Sequence, residues 1–273
     1  MVSPTGASRR RATLTRPRIR VGTEDVAAAL PLSHNHAHVA SGFVIDERAV
    51  PERREGGAAT RVTIDASAGS GRLEQRVVRV ASGRSSRRAP DGKHEVLYVL
   101  SGAGTLELGG ERHALEPGTG AYVLAGEEYE LVMDGQDELA VVAVTVPAEN
   151  HAKRTGVTVR YGDRPALGAG KDREFRYLVN QDLGCRDVTQ FVGTIPPGRA
   201  PTHSHVYDEV VYVLEGEGLL HIGGRSTPIG AGSCIHLPPL EAHSLENVGT
   251  TPMRVLGVFH PSGDPASRAY DEE

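Results

Sequence analysis

The sequence predicts an all-β protein built from two tandem barrels. Three observations carry this: turn-forming residues are frequent, apolar residues fall in short runs closed by turns, and the two halves of the chain repeat at a fixed spacing. The 273 residues include 33 Gly and 17 Pro but only 8 Tyr, 4 Phe and no Trp. Such a composition favours many tight turns, and Val, Ile, Leu and Thr recur in runs of strand length.

The repeat is read residue by residue. Residues 94–147 lie over residues 208–261 without a gap at an offset of 114. Glu95 falls on Glu209, Tyr98 on Tyr212, Gly102 on Gly216, Gly104 on Gly218, Gly118 on Gly232 and Pro147 on Pro261, and the pair Gly109-Gly110 falls on Gly223-Gly224. Shared turn glycines imply a shared backbone path. Between them lie strand-length segments such as 209–214 and 218–222. A pair of strands cannot bury two faces alone, so each repeat is expected to close into a barrel of about eight strands. The expected organisation is a basic tail over 1–30, an N-terminal barrel over 31–150, a linker over 151–173, a C-terminal barrel over 174–262 and a tail over 263–273.

Charge and cysteine content narrow the classes of function. With 35 acidic and 30 basic residues the formal net charge is -5, so neither nucleic acid nor an anionic membrane is an expected partner. Cys185 and Cys234 are too few for a disulfide framework and read as reduced thiols, with a pairing between the two left open. The arginine-rich start of the chain lacks an apolar run for a signal peptide or membrane span. Ser8-Arg9-Arg10-Arg11 has the look of a twin-arginine signal, but polar residues follow it. A disordered tail and a cytoplasmic location are expected.

The chemistry concentrates in two stretches. Gly198-Arg199-Ala200-Pro201-Thr202-His203-Ser204-His205 is followed by Glu209 and Gly216; Gly232 is followed by Pro238-Pro239, His243 and Asn247. Residues two apart on a strand share a face, so His203 and His205 project together and a hairpin can set Glu209 beside them. His243 arrives from a distant strand. Three imidazoles and one carboxylate suit a single divalent transition metal, Mn, Fe, Ni, Zn or Cu, with about two positions open if it is octahedral.

These stretches resemble the two motifs of the cupin superfamily, and the resemblance covers both repeats. It implies two tandem jelly-roll barrels, a bicupin, whose C-terminal site is of the germin and quercetinase type. Two departures occur: four rather than five residues separate Gly198 from His203, and Leu240 stands where the family has Gly, which implies an altered turn. At the same offset, Ala89 and Asp91 fall under His203 and His205, Tyr129 under His243 and Met133 under Asn247, with Glu95 alone retained. The N-terminal site is therefore expected to have lost its metal, and Glu95, with Asp91 and His94, to be vestigial.

Other residues invite attention. His34, His36 and His38 alternate as a strand would but have no carboxylate partner, and are left outside the metal site. Tyr207, Tyr212, His221, Cys234, His236 and Glu241 lie near the ligand strands. If Glu209 faces inward, so do Val211 and Val213, and Tyr212 points to the opposite face. His236 is the expected catalytic group in the pocket.

The resemblance implies a metal-dependent enzyme on a small organic substrate that chelates the ion, of the dioxygenase or oxidoreductase type. The alternatives are an isomerase, a decarboxylase or lyase, a ureidoglycine-aminohydrolase-like enzyme, or a non-enzymatic small-molecule or sugar binder. It also implies a homodimer in which residues 32–46 add a strand to a neighbour.

Overall fold

The computed structural model describes residues 42–150, 153–170 and 172–267. The basic tail over 1–30 and His34, His36 and His38 lie outside the described residues. The N-terminal half contributes β1 Phe43–Asp46, β2 Arg53–Ile64, β3 Glu74–Ser85, β4 Lys93–Ser101, β5 Gly104–Leu108, β6 Glu111–Leu115, β7 Thr119–Val123, β8 Tyr129–Met133 and β9 Leu139–Pro147. After it come β10 Thr158–Arg160, β11 Leu167–Gly168, β12 Glu174–Val179, β13 Thr189–Ile195, β14 Gly198–Arg199, β15 Asp208–Glu215, β16 Glu217–Ile222, β17 Arg225–Gly230, β18 Ser233–Leu237, β19 His243–Asn247 and β20 Met253–His260. Apart from short 3-10 turns the regular structure of the described residues is strand, in two jelly-roll barrels, and no helix among them is long and apolar enough to cross a membrane.

The repeat is visible in the hydrogen bonds. Glu95 on β4 stands opposite Thr145 and Val123; Glu209 on β15 stands opposite Phe259 and Leu237, each pair displaced by the same offset. Gly118 N–H donates to Val99 O at 2.9 Å and Gly232 N–H to Val213 O at 3.0 Å. The turn glycines are required: Gly102 and Gly216 have φ 76° and 90°, and a Cβ on either would sit 2.8 Å from a backbone Cα of the neighbouring strand, that of Leu139 or Met253.

The two barrels exchange a strand. β1 pairs with β18 at the edge of the C-terminal sheet, Asp46 opposite Ser233, and β10 pairs with β7 at the edge of the N-terminal sheet, Arg160 opposite Thr119. Strand membership thus crosses the boundaries drawn from the sequence. β1, placed in the N-terminal barrel and expected to join a neighbouring molecule, completes the C-terminal sheet of its own chain; β10, placed in the linker, completes the N-terminal one.

Burial follows strand parity. Leu97 and Val99 fill the N-terminal barrel with Leu106, Leu131 and Val141, and Val211 and Val213 fill the C-terminal one with Leu220, Ile235 and Val255. The alternate residues Val96, Tyr98, Val210 and Tyr212 meet in a third cluster with Leu256, Cys185 and Cys234. β4 and β15 are therefore apolar on both faces, because each is barrel wall and barrel interface at once. Each aliphatic side chain so buried stabilises the fold by about 1.5–3 kcal/mol. Tyr212 packs on the far face from Glu209, as parity requires, and both cysteines are free and buried.

Leu240 keeps the backbone of the glycine it replaces. Its φ is 65°, its side chain is 68% exposed, and its N–H donates to His205 O at 2.7 Å. A left-handed leucine costs about 1–2 kcal/mol, and its exposed side chain returns little packing. Leu240→Gly should raise stability by about 0.5–1 kcal/mol after the entropy of the added glycine, measured as the thermal midpoint; an unchanged or lower midpoint would show that the turn carries no strain.

Candidate metal centre

β15, β19 and the segment before β15 bring the four candidate ligands together. His203 and His243 face each other across an antiparallel bridge, His203 N–H to His243 O at 3.0 Å and His243 N–H to His203 O at 2.9 Å. Ring centres stand 4.6 Å apart for His203 and His243, 4.9 Å for His205 and His243, and 6.4 Å for His203 and His205. Two imidazoles bound to one ion at about 2.1 Å would have centres roughly 4.5–6.5 Å apart, depending on the angle between them. All three pairs fall in that range. Glu209, His205 and His243 are buried and His203 half-buried.

The backbone fixes the imidazole tautomers. Nδ1 of His203 lies 3.1 Å from Pro201 O, that of His205 2.9 Å from Tyr207 O, and that of His243 2.9 Å from Glu241 O. A carbonyl only accepts, so each Nδ1 carries the proton and each Nε2 the lone pair, the arrangement a metal-ligating histidine needs.

This leaves two acceptors facing one another. His205 Nε2 is buried without a hydrogen-bond partner, yet Glu209 Oε2 lies 2.9 Å from it. The distance is that of a hydrogen bond but the alignment is not. Lone pairs that close in a buried site need either a proton or a shared cation between them. Burial pushes His205 toward its neutral form, but the Glu209 carboxylate outweighs it and raises the pKa above the usual histidine range. Burial, with His203 nearby, pushes His243 down to about 4. Among the described residues no three His, Cys, Asp or Glu side chains already close on one point at bonding distance; the four stand side by side without closing.

The donors open into a cavity of ≈ 110 Å³ walled by Phe175, Phe191, Val211, Leu245 and Phe259, with Arg173 and Glu174 also in its wall. Tyr207 belongs to it: its ring stacks between His205 at 4.4 Å and Phe259 at 4.0 Å, and its hydroxyl donates to Asp264 O at 3.1 Å, which ties residues expected to be a free tail over the site. A larger cavity of ≈ 740 Å³, between the barrels and bordered by Tyr98, Tyr161 and Tyr212, holds no comparable donor set.

The expected catalytic residue His236 is elsewhere. Ile235 and Leu237 take the inward positions of β18, so His236 points toward the barrel interface, where its Nε2 lies 2.6 Å from Asp208 Oδ1. His221 pairs with Ser226 and Glu246 on the outer surface, and Cys234 lies at the interface. Arg173 and the phenylalanines were missed because no motif marks them; Arg173 closes the segment read as linker.

A cupin domain model matches residues 76–145 and residues 191–259, one copy in each repeat. The chain belongs to the cupin family. Over 67 residues, 24% of this chain and 55% of that protein, it is 39% identical to the oxalate-binding protein of Thermotoga maritima. A putative glyoxylate induced protein from Pseudomonas aeruginosa is 18% identical at a TM-score of 0.71, over 80% of this chain and 88% of that one. Bacillus subtilis oxalate decarboxylase, in a structure described for its Mn(II) centers, is 13% identical at a TM-score of 0.67, over 81% of this chain and 78% of that one. The solved structures show the bicupin fold. The chain spans about half the length of the curated relatives it matches.

In the N-terminal cupin the retained carboxylate has different company. Arg88 N–H and Tyr129 O, and Tyr129 N–H and Arg88 O, pair at 2.9 Å, so the counterpart of His203 is Arg88, not Ala89 as the uniform offset implied. Six residues separate Arg88 from Glu95 and five separate His203 from Glu209, so the gapless correspondence stops before the motif. Glu95, fully buried, accepts from Arg76 Nη2, from Arg88 Nε at 2.9 Å and from Tyr129 Oη at 2.9 Å. Burial first, and then this carboxylate, push the Tyr129 phenol above its ordinary range, so it stays a neutral donor. Asp91 is exposed, and His94 turns to Asp187 at 3.2 Å. The signal for Arg76 was its inward parity with Val78 and Val80 on β3.

Glu95→Gln would leave two buried or half-buried guanidinium groups without their counter-charge. Since the Arg76 side chain is only 7% exposed, a loss of about 3 kcal/mol is expected in urea unfolding; a loss below about 1 kcal/mol would show that the carboxylate does not hold this barrel together.

Proposed function

We propose that the C-terminal cupin holds one divalent transition metal on His203, His205, Glu209 and His243 and is a metal-dependent enzyme acting on a small organic acid that chelates the ion. The observation that carries this reading is the pairing of four convergent donors, two of them facing acceptors, with a cavity of ≈ 110 Å³. Drug-sized ligands fill pockets of about 300–1,000 Å³, so the site suits an acid of a few heavy atoms over a multi-ring phenol. When bound, the ion supplies Lewis-acid charge to the oxygens of such an acid.

The chain's own residues supply the rest. The carbonyls of Pro201, Tyr207 and Glu241 hold the imidazole planes. Phe175, Phe191 and Phe259 exclude water. Oxalate appears in the names of two relatives, the oxalate-binding protein and the decarboxylase, and decarboxylation or oxygenation of an acid of that size fits the cavity. The name of the first also favours a second reading, a small-acid binder without turnover. A homodimer in the cytoplasm completes the proposal; sedimentation as a monomer at micromolar concentration would remove the dimer.

Metal analysis should find about one ion per chain in the wild type and none in His205→Ala. Forms loaded with Mn, Fe, Ni, Zn or Cu should consume oxalate or another two- to four-carbon acid, followed by NMR. If an acid binds and none is consumed, the binding reading replaces the enzyme. Because His205 takes up a proton above the usual histidine range and His243 only at about 4, the proton competes with the ion first at His205. Metal retained after dialysis should be complete near about pH 8 and fall as pH drops toward about 5; retention unchanged down to about pH 5 would contradict this ligand set.

A further inference from the structure

The N-terminal barrel keeps a cavity of ≈ 240 Å³ where the C-terminal barrel has its candidate centre. The walls correspond: Arg76, Val78, Arg88, Tyr129 and Leu131 occupy the places of Phe191, Gly193, His203, His243 and Leu245, as their equivalent strand pairings show. Glu95 is not part of the wall. It lies behind the guanidinium groups, fully buried, with Arg76 and Arg88 between it and the cavity.

The charges do not cancel. Within the buried set one carboxylate, Glu95, meets two guanidinium groups, and Glu74 reaches Arg76 from the solvent side. Arg76 Nε is buried and makes no hydrogen bond; the carboxylate nearest to it, Glu74 Oε1 at 3.5 Å, is 38% exposed and outside the cavity wall. The Arg88 side chain is 33% exposed, and its two Nη groups make no hydrogen bond among the described residues. Of the other charged residues in the wall, Arg87 is engaged by Glu128 and Glu130, and Glu55 is exposed. Among the buried and half-buried groups, with the more exposed Glu74 set aside, two guanidinium groups and Glu95 leave one net positive charge, the same as a divalent ion and Glu209 would leave in the other barrel.

The geometry points to a second, metal-free binding site in the N-terminal barrel, for the carboxylate of a small organic acid. The acid's oxygens accept from the Nη groups of Arg88, a fork suited to a planar carboxylate, Arg76 adds positive charge in the wall, and Thr60 and Ser86 in the same wall offer hydroxyls. The site stands on Arg76, Arg88 and Glu95 and does not require the C-terminal metal.

Isothermal titration of the full chain with sodium acetate and sodium oxalate tests it, with acetamide as the uncharged isostere. In His205→Ala, which disables the C-terminal donor set, acetate should still bind at one site per chain and acetamide should not. Adding Arg88→Met should weaken acetate at least about tenfold, and Arg88→Lys should fall between. Circular dichroism checks the fold of each variant; should Arg88→Met unfold, an unchanged affinity in Arg88→Lys would overturn the proposal. It is equally overturned if neither anion binds His205→Ala, or if acetamide binds as well as acetate. Metal analysis of the same variants reports separately on the C-terminal centre.

Discussion

A carboxylate on the inward face of a closed β-barrel must find positive charge or lose its ionisation, and this constraint shapes both halves of the protein. β4 and β15 place Glu95 and Glu209 at the same point, with the same partners in register across the sheet. In one barrel the surrounding positions carry arginines and a phenol, which donate to the carboxylate directly. In the other they carry imidazoles whose protons are turned outward to backbone carbonyls. That second arrangement leaves lone pairs pointing in, which either a proton on His205 or a shared cation satisfies.

The sequence made the fold and the donor set legible for one reason: both are encoded in periodic features. Glycines at a fixed offset mark where the backbone turns, and residues two apart on a strand share a face. The same parity placed Tyr212 at the interface. His236 was misread because its strand was considered without register. Once β18 pairs with β15, Leu237 lies opposite Glu209 and faces inward with it, and His236 is carried to the other side. Arg88 was missed for a related reason. The one-residue length difference before Glu95 lies outside the gapless repeat, and only the bridge to Tyr129 reveals it.

What a single sequence could not show was which barrel each strand completes. The exchange of β1 and β10 follows from where the segments can reach, not from their composition: Phe43–Asp46 and Thr158–Arg160 are short and carry no distinctive pattern. Their placement nonetheless explains why β4 and β15 are apolar on both faces. The exchanged strands extend the two sheets that face each other, and Val96, Tyr98, Val210 and Tyr212 are covered by the opposite barrel and not by water.

This shared interface couples two kinds of stability. An ion held at the proposed centre would stabilise the native state with the logarithm of its concentration over its dissociation constant, and would tie the C-terminal barrel to metal supply. The N-terminal barrel carries its cations covalently, on Arg76 and Arg88, so Glu95 needs no external cation. Because each sheet includes a strand from the other half, neither barrel can open completely without disturbing its partner.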